Sequence, residues 1–199
     1  MNKRQIRAIF NQDTIRVYQA FNNGIADAAI KKGTFSSPPF SLNRMTWIKP
    51  SFLWMMYRCG WGQKDVGQQR VLAIDITREG FEYALSHSCL SHFDAEHHQS
   101  HDEWNQQLKN SPIRIQWDPE RNIYSKPQDH RSLQIGISGA MVEKYVNEWI
   151  VAISDITPQV KQMKKLLDAG IEDELLQQLP QEAVYPLPQK IQKIISMDN

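Results

Sequence analysis

The sequence contains few cysteines, no long apolar run and no signal-like opening. Cys59 and Cys89 are its two cysteines and form no CxxC unit, so we expect both to be buried, reduced thiols. No apolar stretch approaches the ~20 residues that a membrane-spanning helix needs. The first residues, MNKRQIRAIFNQDTIR, carry charges at every turn and lack the apolar core of a signal peptide. These absences predict a cytoplasmic protein with no membrane partner.

Several motifs that bind phosphate or support hydrolysis are also absent. The nine glycines form neither GxxxxGK nor GxGxxG, which excludes a P-loop and a dinucleotide-binding fingerprint. No GxSxG elbow surrounds a serine, so the sequence gives no basis for a Ser/His/Asp triad. Asp118 and Glu120 are close in sequence, but a turn at Asp118-Pro119 explains them without an acid pair.

Charge is distributed unevenly along the 199 residues. The whole chain has a net charge of +1, which gives no general case for nucleic-acid binding. Residues 1–70, however, hold eleven Lys and Arg against three Asp and no Glu, a surplus of eight positive charges. This surplus predicts a positive surface that suits a phosphate-bearing ligand, although a solvated basic face without a ligand would look the same.

Strand and helix patterns alternate along the chain and predict one α+β domain. β-branched and apolar runs indicate strands at residues 14–20, 44–48, 70–76, 113–117 and 133–137. Apolar spacing and capping residues indicate helices at 24–32, at 50–59 with Pro50 in the first turn, after a Thr77 cap, and from Ser138 to an end at Thr157-Pro158. Residues 1–158 should form the core, and residues 159–199 a helix followed by the extended, proline-containing arm PQEAVYPLPQ.

The segment 87–103, HSCLSHFDAEHHQSHDE, contains five histidines. His97 and His101 have the i, i+4 spacing of a helical zinc pair, and Asp94, Glu96 and Asp102 could complete the ligand shell. The segment lacks HExxH and is polar on all sides, so a solvated loop explains it equally well. We therefore expect no metal, and a loop from residue 92 to residue 110 with one amphipathic turn.

The segment 44–62, RMTWIKPSFLWMMYRCGWG, combines basic and aromatic side chains. Arg44, Lys49 and Arg58 bracket Trp47, Trp54 and Trp61 in this segment. Cationic groups beside flat rings suit a ligand that has both a phosphate and a base. The alternative is that the tryptophans belong to the core, above all Trp54.

Long strings of the sequence resemble a widespread bacterial family, domain of unknown function four-two-nine-one. The similar blocks lie between about residue 4 and about residue 157 and include RAIFNQDTIRVYQAFNNGIADAA, MTWIKPSFLWMMYRCGWG, VLAIDITREGFEYALSHSCLSHF, IQWDPERN and EWIVAISDIT. The resemblance brings no assigned activity.

The order of the elements also resembles that of the ADP-ribosyltransferase superfamily, especially its RNA 2′-phosphotransferase branch. VYQAFNNGIADAAIKKG, RMTWIKPSFLWMMYRCG and VLAIDITREGF take the positions of its first strand and helix, its second motif and its next strand. The implied fold is α+β, with a split mixed or antiparallel sheet and packed helices. The implied function is NAD-dependent transfer to a nucleic acid or protein acceptor.

The second resemblance implies roles for individual residues. Arg16 and Gln19 would serve catalysis, with Gln19 standing where the superfamily has a histidine. The catalytic carboxylate would be Glu120 or, failing that, Glu148. The cofactor-binding residues would be Tyr18, Arg44, Thr46, Trp47, Lys49 and Ser51, with Tyr18 or Trp47 stacked on the nicotinamide.

Two other functions remain open from the sequence. The same basic and aromatic surface would suit an RNA- or DNA-binding module without catalysis, because stacked bases and phosphates need the same side chains. Alternatively, the PQEAVYPLPQ arm would bind a protein partner in a regulatory role.

Overall fold

A computed structural model of the chain describes residues 3–95 and 98–197. Within these residues the strands are β1 (Lys3–Arg4), β2 (Arg7–Ala8), β3 (Thr14–Phe21), β4 (Thr46–Ile48), β5 (Arg70–Thr77), β6 (Ser88–Leu90), β7 (Ile113–Arg121), β8 (Pro127–Ile137), β9 (Ile150–Asp155) and β10 (Ala183–Val184). The α-helices are α1 (Asn23–Lys32), α2 (Phe52–Cys59), α3 (Arg78–Ser86), α4 (His101–Asn110), α5 (Ala140–Lys144), α6 (Thr157–Asp168), α7 (Glu172–Gln178) and α8 (Gln189–Ile194). A 3₁₀ turn covers Val66–Gln68 and a π-helical turn covers Tyr145–Trp149.

The strands form two main sheets that meet at one backbone bridge. The larger sheet is mixed and has the order β1-β8-β7-β6, with β4 also paired to β8. The smaller sheet is antiparallel, with β5 between β3 and β9. Tyr18 of β3 and Lys49 exchange two backbone hydrogen bonds, 2.8 and 3.3 Å long, which connect the sheets beside β4. The predicted α+β class and mixed sheet are confirmed, and the chain forms one domain.

Helix α2 begins two residues later than predicted, at Phe52 instead of Pro50. Ser51 is its N-cap, and Ser51 Oγ accepts a hydrogen bond from the Trp54 N–H at 3.2 Å. Pro50 therefore lies before the cap and not in the first turn. Gly60 ends the helix in the left-handed conformation, as expected. Trp54 is 3% exposed and belongs to the core, which confirms the core interpretation of this tryptophan.

Residues 150–155 form a strand, although helical spacing predicted that a helix would continue there. The buried residues Val142, Tyr145, Val146 and Trp149 do follow helical spacing. Beyond them, Ile150–Asp155 pairs with β5, which is central in its sheet and needs a second neighbour for its backbone groups. Thr157-Pro158 consequently begins α6 and does not end a helix, as proline favours the first helical turn.

Two further predictions are wrong: the turn at residues 118–122 and the loop at residues 101–110. Strand β7 continues through the expected Asp118–Asn122 turn to Arg121, with a register shift around Pro119 because proline has no N–H to give to the ladder. Residues 101–110 form helix α4 instead of a loop. Its N-cap is Ser100, whose Oγ accepts a hydrogen bond from the Glu103 N–H at 3.1 Å.

The C-terminal arm is extended and packs on the core. β10 pairs with β2, and Tyr185 beyond it is 1% exposed. Its hydroxyl donates to Glu82 Oε1 at 2.5 Å and accepts from Arg78 Nε at 2.8 Å.

In the part of the chain that is described, no helix combines the length and apolar character that a bilayer crossing requires.

Candidate functional site

A polar cavity of about 680 Å³ lies beside the bridge between the two sheets. Its walls come from the end of β3, the loop before β4, β4 itself, α2 and the facing strands β7 and β8. The polar side chains that line it are Gln19, Asn22, Ser41, Arg44, Thr46, Lys49, Arg58, Gln68, Gln116 and Gln134. Three of them are cationic, and no carboxylate lines the cavity among residues 3–95 and 98–197.

Lys49 provides the deepest charge of the cavity. The residue is 6% exposed, and its Nζ donates one long hydrogen bond, 3.4 Å, to the Trp47 carbonyl oxygen. Burial, together with the positive charge of Arg58, lowers the pKa of Lys49 to about 7. Cys59 and Asp118 act in the opposite direction but do not compensate for burial.

Arg44 and Arg58 lie at the cavity's exposed rim. Neither guanidinium forms an ion pair with a carboxylate of the described residues. The cavity therefore has two exposed guanidiniums at its rim and one buried amine in its wall. This arrangement attracts anions, and guanidinium groups bind phosphate and carboxylate through paired hydrogen bonds.

Gln19 organises one wall of the cavity. Its Nε2 donates to Thr46 Oγ1 at 2.7 Å and to the Trp47 carbonyl oxygen at 3.2 Å. Its Oε1 accepts from the Tyr145 hydroxyl at 2.8 Å. Complete burial raises the pKa of Tyr145, so this hydroxyl remains protonated and continues to donate. Gln19 therefore holds β4 against β3 and fixes the position of Thr46.

The ring of Trp47 packs against a glycine on the neighbouring strand. Trp47 pairs with Gly136 of β8, and a Cβ on Gly136 would lie 2.9 Å from two ring atoms of Trp47 and 2.8 Å from Met45 Sδ. No side chain other than hydrogen fits there without moving the indole. Trp47 is half-buried, so part of its ring remains open to a ligand in the cavity.

The structure brings together five of the nine predicted site residues. Gln19, Arg44, Thr46, Trp47 and Lys49 line the cavity. They lie on β3 and on the segment around β4, which the Tyr18–Lys49 bridge holds side by side.

The other four predicted residues lie elsewhere. Arg16 forms a bidentate ion pair with Asp75, with both hydrogen bonds 2.8 Å long, on the smaller sheet. Tyr18 is 1% exposed and packs edge-on against Phe52 in the core. Ser51 caps α2 and, with Glu120, lines a separate cavity of about 170 Å³.

The two proposed carboxylates do not line the main cavity. Glu120 is buried, and its Oε1 accepts a hydrogen bond from the Arg121 N–H at 2.8 Å. Glu182 shares the smaller cavity with it. Glu148, the second candidate, is an exposed residue of the π-helical turn.

Sequence reasoning missed two glutamines of the cavity wall. Gln116 and Gln134 are paired on β7 and β8, and Gln134 Nε2 donates to Gln116 Oε1 at 2.6 Å and to Asp118 Oδ2 at 2.8 Å. Residues 113–117 (IRIQW) alternate between apolar and polar, so Gln116 lies at an ordinary polar position and gives no local sign of a special role. Their meeting depends on strand register, which local sequence does not reveal.

Comparison with known proteins identifies the family. Residues 5–185 match the family described as Domain of unknown function (DUF4291). The chain belongs to this family. A search of curated proteins found no match. All lining residues of the main cavity fall inside the DUF4291 match, and so do Glu120, Glu182 and Tyr185.

The His-rich segment of this DUF4291 protein supplies no metal site that can be described. Glu96 and His97 lie outside the described residues, so the predicted His97–His101 pair is not tested. Elsewhere in the described ranges, no three His, Cys, Asp or Glu side chains are grouped to hold a metal. His101 stacks on Phe93 with ring centroids 3.8 Å apart.

Proposed function

We propose that this DUF4291 protein binds a phosphate-bearing nucleotide in the 680 Å³ cavity. The observation that carries the proposal is the buried Lys49 amine. It shares a cavity without a carboxylate in its described lining with two guanidiniums that form no ion pair among the described residues. Burial makes the charged form of this amine costly, and an anionic ligand would stabilise that form by supplying an opposite charge. Phosphate groups would interact with Arg44, Lys49 and Arg58.

The rest of the ligand would use the polar and aromatic wall. The open part of the Trp47 ring offers a stacking surface for a nicotinamide or another base. Thr46 and the glutamines offer hydrogen bonds for ribose hydroxyls, because amide and hydroxyl groups can both donate and accept. A nucleotide combines these three chemical parts in one molecule.

NAD is the nucleotide that we propose, with ADP-ribosyl transfer to a nucleic acid or protein acceptor as the reaction. Support comes from the similar order of elements in the ADP-ribosyltransferase superfamily and from the place of Gln19, Thr46 and Trp47 in one cavity. In this proposal the arginines would hold the pyrophosphate of NAD, and Trp47 would stack on its nicotinamide ring. Transfer would further require a carboxylate near the nicotinamide ribose, and Glu120 and Glu148 lie outside the described lining.

The test is a set of calorimetric titrations with NAD, ADP-ribose, AMP and a short RNA with and without a 5′-phosphate, each at two salt concentrations. Arg44→Ala and Arg58→Ala should each weaken nucleotide binding roughly 10- to 100-fold, as a lost hydrogen bond to a charged group costs about 1.5–3 kcal/mol. Lys32→Ala, at the exposed end of α1, is the matched control and should bind as the wild type does.

The outcomes separate binding from transfer. Absence of heat and of a thermal shift with every phosphate ligand would reject nucleotide binding. Transfer is measured as the release of nicotinamide from labelled NAD. The same measurement on Glu120→Gln tests whether Glu120 is the catalytic carboxylate. Tight NAD binding without nicotinamide release would leave a nucleotide-binding protein and reject the transferase reaction. Preference for the 5′-phosphorylated RNA over NAD would favour the RNA-binding alternative.

A further inference from the structure

The surroundings of the Lys49 amine differ from those of a lysine that only provides a positive charge. Its side chain is 94% buried, as the residue is 6% exposed, yet it lines the cavity wall. Among the described residues, the Trp47 carbonyl oxygen, 3.4 Å away, is the hydrogen-bond partner of its Nζ. A lysine used only as a structural cation would be paired with a carboxylate, whereas this amine has one long hydrogen bond and belongs to a residue of the cavity wall.

The surroundings of Lys49 also favour the neutral amine. Burial and the Arg58 charge lower the pKa to about 7, against the smaller opposing effects of Cys59 and Asp118. At neutral pH a large fraction of the amine then carries a free electron pair. A desolvated lysine near another cation is the environment in which lysines attack carbonyl groups.

The cavity's charges restrict the electrophile. Arg44 and Arg58 at the rim select an anionic group. A metal ion that assists attack on a phosphate ester would use carboxylate ligands, and the described lining contains no carboxylate. Attack on an aldehyde or ketone needs no metal.

We propose that Lys49 forms an imine with a phosphorylated aldehyde or ketone held by Arg44 and Arg58. The proposal rests on the proposed function, because the same arginines hold the phosphate. The Nζ electron pair forms a C–N bond while the carbonyl π pair moves to oxygen, and one amine proton passes to that oxygen. The resulting hydroxyl leaves as water with the second amine proton, and the nitrogen pair closes the C=N bond. No oxidant or reductant is consumed.

Pyridoxal 5′-phosphate is the probe, because it is a phosphorylated aldehyde whose imine can be trapped. The full chain is incubated with it near pH 7, reduced with borohydride and mapped by peptide mass spectrometry. Lys49 should be labelled roughly tenfold or more faster than exposed lysines, since its neutral fraction is far larger near pH 7. Inorganic phosphate should slow this labelling by competing for the arginines.

Variants separate reactivity from folding. Lys49→Arg, which keeps the positive charge, should remove the rapid labelling, and Arg58→Ala should slow it. Lys32→Arg on α1 should leave it unchanged. Circular dichroism checks that each variant is folded, and competition by phosphate in the wild type tests the site without any variant.

The results distinguish this inference from the proposed function. Labelling spread over exposed lysines, with Lys49 no faster than Lys32, would overturn the imine proposal. If NAD still binds in that case, the nucleotide proposal survives alone. Rapid, phosphate-sensitive labelling of Lys49 without binding of any nucleotide would support the imine site and reject the nucleotide.

Discussion

Glu182 shows how a single carboxyl group connects the arm to the core. Its Oε1 accepts a hydrogen bond from the Phe52 N–H at 2.7 Å, in the first turn of α2. Burial, together with the nearby charge of Glu120, raises the pKa of Glu182 to about 8. Near neutral pH much of this carboxyl remains protonated, unlike the carboxyl of an exposed glutamate.

The raised pKa of Glu182 predicts a pH-dependent stability. Between pH 4.5 and pH 8 the unfolded chain loses this proton while the folded chain keeps it, so the free energy of unfolding should decrease as pH rises through that range. Glu182→Gln keeps an acceptor for the Phe52 N–H and removes the titration. Relative to the wild type it should gain a few kcal/mol between pH 5 and pH 8, at about 1.4 kcal/mol per unit of pKa shift.

Urea unfolding of both proteins at several pH values measures this difference. The exposed Glu174→Gln on α7 is the control and should change little between pH 5 and pH 8. A constant difference between Glu182→Gln and the wild type across this range would show that Glu182 titrates normally.

At the scale of elements, the cavity depends on the pairing of β4 with β8. Trp47 and Gly136 are directly opposite in this pair, and the glycine leaves the space that the indole fills. Because a strand register places every side chain on one face or the other, this single pairing determines where the stacking surface lies.

Gly136→Ala should therefore disturb the site more than the fold. The added Cβ would lie within 3 Å of the Trp47 ring and of Met45 Sδ, so both side chains must move. We expect nucleotide affinity to decrease roughly tenfold, with about 1–3 kcal/mol of lost stability from overpacking. Calorimetry and chemical unfolding measure the two effects.

Gly24→Ala is the matched control for this substitution. Gly24 lies in α1, where an added Cβ would have an ordinary 3.6 Å contact to Asn22 Oδ1. Alanine should preserve affinity there and slightly raise stability, because it is the better helix former. Equal affinities of Gly136→Ala and the wild type would show that Trp47 does not contact the ligand.

Elements with local signals were predictable from the sequence, and those that depend on partners were not. Thr77 was expected to cap a helix, and its Oγ1 accepts from the Gly80 N–H at 3.1 Å because capping is decided within four residues. Residues 150–155 follow the same apolar pattern as the helix before them, and only β5 makes them a strand. The site residues divide in the same way. Arg44 to Lys49 are close together in the sequence, so they could be predicted as a group. Gln116 lies beside Gln134 only because of the strand register, which the local sequence does not show.

At the scale of the whole molecule, Tyr185 anchors the arm. Its ring packs edge-on against Phe10 and Phe81, with centroids 5.2 and 5.5 Å away. Its backbone N–H donates to the Ile6 carbonyl oxygen at 2.8 Å. One residue of the arm thus contacts both the beginning of the fold and helix α3.

Two substitutions of Tyr185 separate packing from hydrogen bonding. Tyr185→Ala should cost about 3–5 kcal/mol of unfolding free energy, as large aromatic truncations in a core do. Tyr185→Phe keeps the ring and should cost about 1–2 kcal/mol, through the lost bonds to Glu82 and Arg78. Thermal and urea unfolding measure both; a Tyr185→Ala variant as stable as the wild type would show that the core folds without the arm.

The pairing of β2 with β10 has a consequence for the order of folding. It joins Ala8 to Ala183, so nearly the whole chain forms the loop that this pair closes. Closing such a loop costs more entropy than forming the local hairpin β7–β8. The short pair β2–β10 offsets this cost with only a few hydrogen bonds. The two ends should therefore join last during refolding and separate first in the native protein, and their amides should exchange with deuterium before those of β5.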